Sequence, residues 1–106
     1  MNRKLIVFVP REALDVVRDA LFAAGAGRIG DYERCSWYTA GTGTFLAREG
    51  AEPTTGEVGR EEHVRELRVE TVVPVECADA VVRALLDVHP YEEVAFELYP
   101  LVDLEP

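Results

Sequence analysis

Two stretches of this chain run through the same steps, and that duplication limits the folds open to it. In "KLIVFVPREALDVVRDALFAAGAG" an apolar run, Leu5 to Val9, stops at Pro10. Leu14, Val17, Leu21 and Ala24 then recur at three- and four-residue spacing, which lines one face of a helix. Proline near the first helical position suits a helix start, because its missing N–H would be unpaired there anyway. The glycines of "GAG" stop the helix by allowing left-handed backbone angles. The second half repeats this: "LRVETVVPVECADAVVRALLDVHPYEEVAFELYPL" has a strand ending at Val73-Pro74, then an apolar stripe of Ala78, Val81, Val82 and Leu85, then a further strand. Val9-Pro10 matches Val73-Pro74, Asp15 matches Asp79, and "VVR" occurs at 16–18 and 81–83.

Each half reads as βαβ, and two such halves give βαββαβ. That is the ferredoxin-like plait of the α+β class, with two helices over one face of a four-stranded antiparallel sheet. The expected inward residues are Leu14, Val17, Leu21, Val81, Val82 and Leu85. The last strand is expected to alternate, Val94, Phe96, Leu98 and Pro100 against Ala95, Glu97 and Tyr99. Between the halves lies a Gly-, Thr- and Glu-rich stretch anchored by Phe45 and Leu46, which reads as a hairpin tip or a long excursion and not as a linker between domains. The 106 residues are expected to form a single domain. A chain of this size buries roughly 60–70% of its unfolded surface, and docking several copies would add to that modest core.

Charge narrows the partners. Eleven basic against twenty acidic residues give a formal net charge of -9. Such a field repels nucleic acid and anionic membranes, whose binding relies on lysine and arginine. Cations, basic proteins and neutral small molecules remain open. Cys35 and Cys77 are far apart, no CxxC occurs, the N-terminus reads as a strand instead of a leader, and no run approaches the ~20 apolar residues of a membrane span. The expectation is a cytoplasmic protein without membrane attachment.

Three blocks carry a resemblance: "GAGRIGDYERCSWYTAGTGTF", the glycine- and glutamate-studded residues 50 to 70, and "HPYEEVAFELYPL". Together, in this order from Lys4 to Leu101, they resemble the insert domain of the Nif-three-like family of the YqfO type, here as an insert domain standing alone. That domain is similar in turn to PII signalling proteins and to CutA, the divalent-cation-tolerance protein, which assemble as trimers. CutA carries a His-Pro-Tyr-Glu segment where this chain has His89 to Glu92. The resemblance implies a PII/CutA-like fold and a homo-oligomer, with a trimer favoured. Full members add a large domain with a two-metal centre of paired histidines and carboxylates. His63 and His89 are the only histidines here and are not paired, so the resemblance implies neither that centre nor an enzymatic activity.

The candidate site residues follow. Gly41, Gly43 and Thr44 in "AGTGTF" read either as backbone donors for an anion or as a hairpin tip needing positive φ. His89 and Tyr91 complete a candidate small-ligand site. As a metal ligand for a divalent ion, His89 would need Glu92, Glu93 or Cys77, with help from a neighbouring subunit. As structure, His89 precedes Pro90, is biased away from helix, and ends the second helix while launching the last strand. "GAGRIGDY" follows a helix instead of a strand, so it reads as turn and helix-cap sequence and not as a nucleotide fingerprint. Cys35 reads as a buried small hydrophobe, Cys77 as the more reactive thiol at a helix start. Trp37, Tyr38 and Tyr91 read as core or interface aromatics, and "REEHVRELRVE" as a solvated edge with a strand at its end. No nucleophile, base and orienting group stand at an interpretable spacing. A non-enzymatic, oligomeric small-ligand or regulatory module leads, with a metal binder as the alternative.

Overall fold

The computed structural model describes residues 1–54 and 56–102. Six main elements occur in the order β1 (Asn2–Val9), α1 (Leu14–Ala23), β2 (Ser36–Leu46), β3 (Glu61–Pro74), α2 (Ala78–Val88) and β4 (Phe96–Pro100). The strands form one sheet in the order β2-β3-β1-β4, every neighbouring pair antiparallel. This is the ferredoxin-like βαββαβ plait, and both strand–proline–helix steps are present. Pro10 and Pro74 each introduce a short 3-10 turn, Arg11–Ala13 and Val75–Cys77, that rotates the chain from strand into helix.

Both helices lie on one face of the sheet. Leu5, Val7 and Val9 of β1 and Leu67, Val69 and Val73 of β3 point toward them, and Val17, Leu21, Val81 and Leu85 fill the space between. Leu14 packs at the margin of this cluster. Val82 departs from the expected stripe: it is half-buried and outside the core, whereas Ala78 and Val88 join Val81 and Leu85. The inward line of α2 follows 78, 81, 85 and 88, and the residue after Val81 is turned about 100° away from it. Thr71 is a polar side chain buried within this layer, and its hydroxyl donates to the Cys35 carbonyl at 2.7 Å.

The ends of the helices differ. After α1, Ala26 N–H donates to Leu21 O and Gly25 N–H to Phe22 O, with Gly25 at φ +120°, the paired bonds of a Schellman stop. After α2, His89 is already extended at φ −71°, ψ 132°, as expected of a residue before proline. The last strand begins later than expected, at Phe96 instead of Tyr91. Residues 91–93 form bends, 94 and 95 are irregular, and within the strand Phe96 and Leu98 pack on the core.

The largest correction concerns the central hairpin. Gly41 and Gly43 are not at its tip; they stand inside β2, opposite Glu66 and Val64, and neither has a positive φ. The ladder continues outward to Leu46 opposite Glu61, and the left-handed glycines Gly50, Gly56 and Gly59 lie in the connection beyond. "REEHVRELRVE" is likewise strand from Glu61 onward, and β3 is interior to the sheet, flanked by β2 and β1. Its outer half looks like a solvated edge because the two helices do not reach that far. The hairpin makes the molecule long, 51 × 23 × 22 Å.

Candidate functional site

A groove of about 790 Å3 opens between the middle of the hairpin and the "HPYEE" turn. Gly43 and Thr44 line it from β2, Val64 and Glu66 from β3, and Tyr91, Glu92 and Glu93 from the turn. Phe8, Phe45, Leu46, Pro53 and Pro90 supply apolar wall. A smaller cleft of about 420 Å3 continues past Gly41, sharing Phe8, Gly43, Thr44, Glu66 and Ala95 with the first. Residues far apart in sequence, the glycine-rich strand and the final turn, thus meet along one surface.

His89 does not open into this groove. It is 7% exposed, and both ring nitrogens are engaged: Nδ1 accepts from Tyr91 N–H at 3.2 Å, so Nε2 carries the proton and donates to Phe8 O at 2.7 Å. This tautomer ties the end of α2 to the end of β1. Burial lowers its pKa below the usual imidazole value, against the opposing pull of the Phe8 carbonyl and the Glu66 charge. Glu92 is also occupied, accepting from Glu52 N–H at 3.1 and 3.3 Å. The neighbouring Thr54 hydroxyl donates to Pro90 O at 3.2 Å, so the hairpin connection is fastened to the turn. Among the described residues no three His, Cys, Asp or Glu side chains gather as a metal-binding set, so His89, Glu92 and Glu93 do not form one within the chain.

Tyr91 turns its ring edge-on to His89, with centroids 4.7 Å apart, and donates its hydroxyl to Glu66 at 3.2 Å. Burial, then the Glu66 charge and hydrogen bond, then Glu12, push the phenol up to about 12, so it stays a donor at neutral pH. The Glu66 carboxylate lies directly over Gly43, where an added Cβ would collide with it. That contact explains a glycine in mid-strand better than a turn does. Glu66 went unnoticed in the sequence because it alternates with other charges; the one available signal was the glycine.

The remaining candidates lie elsewhere. Cys35 is half-buried beside β2, and its Sγ faces the Glu33 carbonyl at 3.9 Å. Cys77 packs at the core margin with its sulfur against Gly25, so close that a Cβ on Gly25 would approach Sγ to 2.7 Å. Trp37 and Tyr38 are not core residues: they are 59% and 48% exposed on β2. Tyr38 instead shares Arg18 with Phe22, the guanidinium standing 5.7 and 5.3 Å from the two ring centroids.

No family model matches the chain. Curated relatives named GTP cyclohydrolase 1 type 2 homolog are 52% identical in Mycobacterium tuberculosis and 48% identical in Bacillus subtilis, each over 99 residues and 93% of this chain. The chain spans only 26% of either relative. Among solved structures, a Bacillus cereus protein related to NIF3 superposes with a TM-score of 0.84 at 43% identity, covering 96% of this chain and 26% of that one. The periplasmic divalent cation tolerance protein CutA from Archaeoglobus fulgidus superposes with a TM-score of 0.72 at 15% identity, covering 99% of this chain and 88% of CutA, a likeness of fold alone. No helix among the described residues is long and apolar enough to cross a membrane. The chain is therefore a homologue of a quarter-length segment of the NIF3-related proteins named GTP cyclohydrolase 1 type 2 homolog, folded as a CutA-like plait.

Proposed function

We propose that this chain is a non-enzymatic binding module that takes a small molecule in the groove between the hairpin and the "HPYEE" turn, and that it works as a homo-oligomer, most simply a trimer. The groove carries the reading. Its volume of about 790 Å3 falls in the range of small-molecule sites, and it combines apolar wall with a few polar groups, as such sites do. Against catalysis stands the state of His89, whose ring nitrogens are both spent on backbone groups. The same engagement ranks a metal site at His89 below a small-molecule site.

Oligomerisation is supported by β2. It is an edge strand of eleven residues with no charged side chain, and it exposes Trp37, Tyr38, Phe45 and Leu46. Edges of that kind promote unwanted pairing unless something covers them. Light scattering at micromolar concentration is expected to give three times the 11.8 kDa chain mass; the monomer mass would end the idea.

The groove is testable through Ala95, an exposed residue at its wall. A ligand present at a hundred times its Kd adds about 2.7 kcal/mol of stability, a rise in Tm on the order of 10 °C for a domain of this size. In a thermal-shift panel of metabolite-sized compounds plus zinc, Ala95→Trp is expected to erase the shift of whichever compound stabilises the wild type. A ligand that protects both forms equally binds somewhere else.

A further inference from the structure

Resting on the groove as the binding site, we propose that Glu66 is its recognition group and that its ligand is a small amphipathic cation, an amine or amidine on an apolar or aromatic body. The first observation is the incomplete pairing of this carboxylate. Glu66 is half-buried in the groove wall, and Tyr91 is its hydrogen-bond donor. Among the described residues no lysine, arginine or histidine lies within salt-bridge distance of it, and it has no further contact of that kind. Arg65 lines the same groove but forms no ion pair with Glu66. A carboxylate inside a partly apolar recess interacts best with a donor that also carries positive charge.

Charge and shape point the same way. Glu12, Glu66, Glu92 and Glu93 face two arginines, Arg48 and Arg65, around the groove, and the whole chain carries a formal charge of -9. That field disfavours phosphorylated or carboxylated ligands. A bare metal ion is a poor fit, because these carboxylates do not converge into a ligand set. Phe8, Phe45, Val64 and Pro90 leave apolar surface for an organic body to cover. The Tyr91 hydroxyl fixes one oxygen of Glu66, and Gly43 supplies the space in which the carboxylate rests. Glycine at that position therefore positions the recognition group without touching the ligand.

The test is calorimetric titration with three probes of one shape, benzamidine, benzyl alcohol and benzoate. Wild type is expected to bind benzamidine at least tenfold more tightly than either of the others. Glu66→Gln keeps size and an acceptor for Tyr91, and should lose at least tenfold in benzamidine affinity with Tm little changed. Gly43→Ala should do the same by displacing the carboxylate, which moves easily because it ends a flexible side chain. Benzamidine binding that Glu66→Gln leaves intact would overturn the assignment of Glu66. Benzyl alcohol bound as tightly as benzamidine, and lost in Ala95→Trp, would overturn the cation while leaving the groove standing. No binding by any probe would sink the inference, and the panel above then decides the groove independently.

Discussion

Replacing Val17 with aspartate is expected to remove a large part of the protein's stability. Val17 is fully buried at the centre of α1, against the β1 and β3 side chains that form the core. A carboxylate there would be charged without a partner or neutral without a hydrogen bond. Such a change costs about 4 kcal/mol or more, against a total of about 5–15 kcal/mol for a typical domain. Urea denaturation followed by circular dichroism measures the loss. Val16→Asp is the matched control, since Val16 is 55% exposed on the same helix and should shift stability by no more than about 0.5 kcal/mol. Equal effects of the two substitutions would mean that α1 does not present this face to the sheet.

His89→Leu is expected to cost about 2–4 kcal/mol, because leucine fills the space but deserts the Phe8 carbonyl and the Tyr91 N–H. His89→Gln, which retains an amide able to meet one of them, should lose less. The pH dependence separates this role from simple packing. An unfolded chain protonates His89 near 6.5, while the folded chain, which buries the ring, takes that proton only at lower pH. Below 6.5 the unfolded state thus holds more protons, and stability falls as pH decreases through that region; above it the contribution is complete. Denaturant midpoints measured from pH 7.5 to 5.5 should decline for wild type and stay flatter for His89→Leu. Parallel slopes would show that another group sets the trend.

The parts of the fold that were legible in the sequence are those decided locally. Pro10 and Pro74 break a strand within a residue or two, and Val17, Leu21, Val81 and Leu85 carry a helical period that needs no partner to be read. The parts that were not legible depend on distant residues. Whether "AGTGTF" turns or continues as strand is settled by residues 62–67 of β3 lying alongside it. The late start of β4 follows from the grip of Glu52, Thr54 and Glu66 on residues 90–92, none of which is adjacent in sequence. His89 was legible as a helix stop because Pro90 follows it. Its bond to Phe8 was not, since β1 and that turn meet only after the sheet has closed. Glu66 resembled any solvent-facing charge until Gly43 was found beneath it.

The position of β1 in the sheet also has a consequence for the birth of the molecule. Arg3 sits opposite Val73 on one side and Pro100 on the other, so of the four strands the first to be synthesised is the one whose two neighbours are synthesised last. Until β3 arrives, Leu5, Val7 and Val9 have no ladder to join and only α1 to cover them. The β2–β3 hairpin closes locally, but β1 gains a ladder only after long loops close, and that entropic cost slows folding. During that wait "LIVFV" is the segment most in need of a chaperone.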